Sequence, residues 1–70
     1  MKTKREWLVQ MRNSKGLSQR EMASRMKITT QMYYYIENNE RNPSVCLAQK
    51  IANLLGFDWT LFYVPANRKE

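Results

Sequence analysis

Histidine is missing from this chain altogether, and cysteine occurs once, as Cys46. The first absence removes the commonest metal ligand and the commonest general base at neutral pH. The second leaves no disulfide framework, and a single thiol builds no zinc cluster, so no metal or cofactor is expected. Glycine is nearly as scarce. Gly16 and Gly56 are the only two, too few and too far apart for a phosphate-cradling loop. Acids number six (Glu6, Glu21, Glu37, Glu40, Asp58 and Glu70) and are scattered rather than paired. With no base, no metal set and no carboxylate pair, an enzyme is not expected. No stretch approaches the ~20 apolar residues that span a bilayer, and the opening Met1-Lys2-Thr3-Lys4-Arg5 carries no apolar signal region. The expected location is therefore the cytoplasm. The lone Cys46 reads as a small core residue rather than a reactive thiol.

What the chain does have is positive charge. Twelve Lys and Arg against six acids give +6 over 70 residues, with an isoelectric point near 9.8. Such a balance favours polyanionic partners, nucleic acid before an anionic membrane, although it also serves simply to keep a small domain dissolved. A membrane-surface role lacks a basic amphipathic helix, because the cations are dispersed. Apolar residues make up 43%, too many for a disordered tail. A single domain of this length buries only about 60% of its unfolded surface, so it depends on tight packing or on a second copy.

The punctuation is helical throughout. Thr3-Lys4-Arg5-Glu6 has the form of a capping box, followed by Leu8, Met11, Arg12 and Lys15 at helical spacing and by Gly16 as a stop. Ser18-Gln19-Arg20-Glu21 is a second capping box, and Met22, Ala23 and Met26 form an inward face behind it. The segment ends near Lys27, and Thr29 or Thr30 caps a third helix. On that helix Tyr33, Ile36 and Glu37 share one face, and Thr30, Gln31, Tyr34, Tyr35 and Asn38 the other. Asn39 suits a left-handed cap. Pro43 or Ser44 opens a fourth helix in which Val45, Leu47, Ala48, Ile51, Ala52, Leu54 and Leu55 are dense enough for the centre of a bundle, and Gly56 ends it. Asp58 caps a last short helix holding Trp59, Leu61 and Phe62. The result is an all-α bundle of five helices, core about residues 4–63, with a flexible tail over 65–70. Helices two and three, about three residues apart, have the spacing of a helix-turn-helix running from Ser18 to Asn38.

These residues resemble a known family. Gly16-Leu17-Ser18-Gln19-Arg20-Glu21-Met22-Ala23, Ile28-Thr29, Ile36-Glu37, Arg41-Asn42-Pro43-Ser44 and Ile51-Ala52-Asn53-Leu54-Leu55-Gly56 are similar to the segments of the Xre or lambda-repressor-like (Cro/C1-type) family, spelled GLSQxELA, G[VI]S, IExGxRxPS and AxxLG. The match runs from about Leu8 to Phe62 with every internal spacing kept. It departs at the turn, where Lys27 stands for the usual glycine, and after helix three, where Asn39 does.

The resemblance implies a compact DNA-binding domain that places helix three in a major groove. Helix two then spans the phosphate backbone. Thr30, Gln31 and Tyr35 fall where lambdoid repressors contact bases, and Gln31 is the sharpest candidate because an amide pairs with the adenine N6/N7 edge. Tyr34 is open to either a base contact or a packing role. Gln19 matches the family glutamine that donates to a phosphate and braces the first residue of helix three. Thr29, Asn38, Arg41 and Asn42 are expected on phosphates, and Arg20 and Lys27 either join them or sit in solvent. Arg12 and Glu37 match positions that form a partly buried structural ion pair. The apolar C-terminal stretch, with Phe57, Trp59, Phe62 and Tyr63, is expected to make a homodimer interface, some of it closing the monomer core instead. The implied function is a sequence-specific regulator, more often a repressor, on a palindromic double-stranded operator. An antitoxin-type or protein-interaction member of the same family is the alternative. No small-molecule ligand is evident.

Overall fold

A computed structural model describes residues 4–63; the expected tail at 65–70 lies outside them. Four α-helices follow one another among the described residues: α1 (Glu6–Ser14), α2 (Gln19–Met26), α3 (Thr30–Glu37) and α4 (Val45–Leu55), followed by a five-residue 3-10 helix, Trp59–Tyr63. Among the described residues there is no strand, and no helix is long and apolar enough to cross a membrane. The fifth helix of the expected bundle is thus a 3-10 turn rather than an α-helix. Asp58 starts it by accepting hydrogen bonds from the Thr60 backbone N–H at 3.0 Å and the Thr60 hydroxyl at 2.8 Å. Those two donors hold the Asp58 carboxyl below the usual carboxylate range.

Local chemistry accounts for most boundaries. Helix α1 ends in a Schellman motif, with Leu17 N–H on Arg12 O and Gly16 N–H on Asn13 O while Gly16 takes φ +70°. Ser18 and Glu21 form the full reciprocal box that starts α2. The Ser18 N–H donates to the Glu21 carboxylate at 2.8 Å and the Glu21 N–H donates to Ser18 Oγ at 3.0 Å. The Ser18 backbone and hydroxyl donors to that carboxylate hold its pKa below the usual range. Thr29 caps α3 through its Oγ1 and Ser44 caps α4 through its Oγ, at 3.0 and 3.2 Å. Gly56 ends α4 at φ +84°. Two non-glycine residues take the left-handed region, Lys27 (φ +60°) and Asn39 (φ +62°). Asparagine does so at little cost, whereas lysine in that conformation carries about 1 kcal/mol of strain.

Two sequence expectations are corrected. The first helix does not begin with a capping box. Arg5 occupies the N-cap and makes no side-chain cap, and Glu6 is already the first helical residue. The second correction is Cys46, which is exposed. Helix α4 turns Ala48, Ile51, Ala52 and Leu55 inward, the i, i+3, i+4, i+7 stripe, and that geometry puts Cys46 outside it. Val45, one residue before, is also 51% exposed, on the same outward side of the first turn.

The core gathers Leu8, Met22, Ala23, Met26, Tyr33, Ile36, Ala48, Ile51, Leu55 and Phe62. Phe62 is only 4% exposed. It meets Trp7 edge-on at 5.3 Å and lies 5.6 Å from Phe57, which in turn meets Trp7 at 5.2 Å. Its face is therefore used inside the monomer, and the expectation that Phe62 belongs to a dimer interface is corrected. Phe57 and Trp59 are half-buried, and Tyr63 is exposed while its hydroxyl donates to Pro43 O at 2.7 Å.

Candidate nucleic-acid interface

The inward face of α3 is pinned from three sides. Tyr33, Ile36 and Glu37 are fully buried. The Glu37 carboxylate accepts from Arg12 Nε at 2.5 Å and Arg12 Nη2 at 3.3 Å, a forked pair across from α1. Its Oε1 also accepts from Gln19 Nε2 at 2.9 Å. Arg12 reaches on to Leu17 O at 2.8 Å, and the hydrogen-bonded carboxylate raises its pKa against the opposing effect of burial. Gln19 therefore turns back to the foot of α3, and its expected brace on the first residue of that helix is not formed.

The C-terminal end of α3 is held by a residue that sequence reasoning left among the N-terminal cations. Arg5 is 6% exposed. Its backbone N–H donates to Glu37 O at 2.8 Å. Its guanidinium donates to Ile36 O at 2.5 Å, Arg41 O at 3.2 Å, Asn42 Oδ1 at 2.6 Å and Phe62 O at 3.4 Å, and lies 5.3 Å from the Phe62 ring centroid. A cation at the carbonyl end of a helix also faces the negative end of its dipole. Nothing in the sequence separates Arg5 from its neighbour Lys4; the signal was tertiary. Burial lowers the Arg5 pKa.

These anchors leave the outward face of α3 free. Thr30 and Gln31 are exposed, Tyr34 is 48% exposed and Tyr35 is half-buried. Gln31 Nε2 donates to Tyr35 Oη at 2.9 Å, and the Arg41 guanidinium lies 5.8 Å from the Tyr35 ring centroid. Thr29, Gln31, Met32, Tyr35 and Arg41 line an open depression of about 240 Å³. Arg20, Lys27 and Arg41 are exposed cations, and Asn38 is half-buried at the α3 C-cap. Asn42 is exposed but has its Oδ1 taken by Arg5. Among the described residues no three His, Cys, Asp or Glu come together as a metal set.

Helix α2 stops at Met26 and α3 starts at Thr30, and the two pack against each other. With α3 free along one face, the pair defines a helix-turn-helix. Residues 8–62 match the helix-turn-helix family, and the chain belongs to it, in the Xre/Cro-type branch. It is 46% identical over 59 residues to an uncharacterized HTH-type transcriptional regulator, YqaF, of Bacillus subtilis (strain 168), covering 84% of this chain and 78% of that relative. No solved structure matches it.

Proposed function

We propose that this protein is a sequence-specific double-stranded DNA-binding transcriptional regulator. In this reading it acts as a repressor, with α3 in the major groove of an operator. The observation that carries the reading is the division of α3. Its inner face is locked by Arg12, Gln19 and Arg5, whereas its outer face offers an amide, hydroxyls and aromatic edges on a rigid helix. Thr30 and Gln31 read base edges, with Tyr34 and Tyr35 beside them. The second amide hydrogen of Gln19, the Thr29 hydroxyl, Asn38, Arg41, the Asn42 amide and the cations Arg20 and Lys27 hold phosphates, which set register and affinity without carrying sequence. The net charge of +6 supports an electrostatic contribution.

One domain of this size covers a half-site of a few base pairs, too little for discrimination in a genome. A homodimer on a palindrome, with half-sites about 34 Å apart, is the arrangement that remedies this. Trp59 and Tyr63, with the open edge of Phe57, are the proposed contact. Selection of bound sequences from random duplexes at two salt concentrations tests the whole reading. A palindromic motif that persists at the higher salt is expected. Binding without base preference that disappears steeply with salt would mean electrostatics alone and would overturn it.

A further inference from the structure

Gln31 and Tyr35 lie one turn apart on α3, the spacing at which helical side chains meet. Their contact is directional: Gln31 Nε2 donates and Tyr35 Oη accepts, at 2.9 Å. The Tyr35 ring is in turn steadied from behind, since the Arg41 guanidinium sits 5.8 Å from its centroid. The Arg41 backbone carbonyl is itself held by Arg5 at 3.2 Å. Among the described residues Gln19 hydrogen-bonds Glu37 and not the start of α3. The side-chain contact found on Gln31 comes from its own helix.

We propose that Tyr35 is a positioning residue that sets which way the Gln31 amide is turned, and thereby the base pair that Gln31 selects. This rests on the reading that α3 enters a major groove. With one amide hydrogen given to Tyr35, Gln31 retains one N–H and its carbonyl oxygen. That pair matches the N7 acceptor and N6 donor of adenine. The reversed amide would give its carbonyl to the tyrosine hydroxyl and present two N–H donors, which match the two acceptors N7 and O6 of guanine. The hydroxyl can bond either orientation; the one the structure holds has Nε2 on Tyr35 Oη, and that orientation favours A·T over G·C at a base Tyr35 does not touch.

Binding-site selection with wild type, Tyr35→Phe, Gln31→Ala and the double variant tests this, with thermal unfolding of each as the folding control. Gln31→Ala should flatten one A·T position, on the order of ten-fold. Tyr35→Phe, which keeps the ring and its contact with Arg41, should lose about three-fold at that same position, with G·C the pair that gains. In the Gln31→Ala background, Tyr35→Phe should add nothing. A change at a different base position, additive with Gln31→Ala, would show that Tyr35 reads a base itself and would overturn the proposal. So would an unchanged preference in a Tyr35→Phe variant that melts like wild type. A wild-type protein without base preference at any position would instead remove the major-groove reading, and the proposal with it.

Discussion

Two arginines are packed against α3, and they are held in opposite ways. Arg12 meets a carboxylate: its guanidinium forks onto Glu37, and its pKa rises. Arg5 meets only neutral oxygens, three carbonyls and the Asn42 amide, and its pKa falls. The first is a charge pair whose partner is fully buried. The second has no carboxylate partner among the described residues and gathers neutral acceptors at the end of a helix. Removing the first strands a charge; removing the second strands dipoles. Their costs should differ for that reason, and both should act on the fold before they act on base recognition.

The largest effect should come from Arg12→Met. Leaving Glu37 buried without its partner is expected to cost about 3–5 kcal/mol, read by denaturant or thermal unfolding. A further change of Glu37→Leu in that background should recover much of the loss, because no charge is then left behind. An Arg12→Met protein that melts like wild type would refute the contrast at its stronger end.

Arg5→Met should come next, at about 1.5–3 kcal/mol, since Ile36 O and Asn42 lose a charged donor but no ion is isolated. If it proved costlier than Arg12→Met under the same conditions, the distinction between stranded charge and stranded dipole would be wrong.

The smallest effect has the opposite sign. The Tyr33 hydroxyl is buried with no hydrogen-bond partner among the described residues. Tyr33→Phe is expected to be neutral or to stabilise by about 1 kcal/mol. Burial foremost, and then the Glu37 carboxylate, raises the Tyr33 pKa above its ordinary value of 10.0. The folded state thus disfavours the phenolate. Tyrosine's contribution is intact below pH 10 and is lost as the pH climbs further, where the unfolded chain ionises and the folded one does not. Unfolding curves at increasing alkalinity should show wild type weakening above pH 10 and Tyr33→Phe weakening less.

The same two arginines mark what the sequence could disclose. Much of the local chemistry was legible, the Thr3–Glu6 box aside: the Ser18–Glu21 box, the Gly16 and Gly56 stops and the left-handed Asn39 all follow from residues within a turn of one another. The inner stripe of α3 was legible too, because helical period alone separates Tyr33, Ile36 and Glu37 from Gln31 and Tyr34. Arg5 was not, since its partners lie 31 to 57 residues away. Cys46 was misplaced because composition says what a residue prefers, not which side of α4 the neighbouring helices cover. Gln19 shows a subtler limit. Its motif position is that of a bracing glutamine, yet its amide meets Glu37, and the contact found on Gln31 comes from Tyr35.

The central claim is that α3 keeps its fold on one face and reads DNA with the other. The most direct measurement is binding-site selection and unfolding on one variant, Thr30→Ala with Gln31→Ala. Both side chains are exposed, so stability should stay within about 0.5 kcal/mol of wild type while the selected motif loses its preference at the bases they read. The same motif recovered with the same strength from the doubly substituted protein would contradict it.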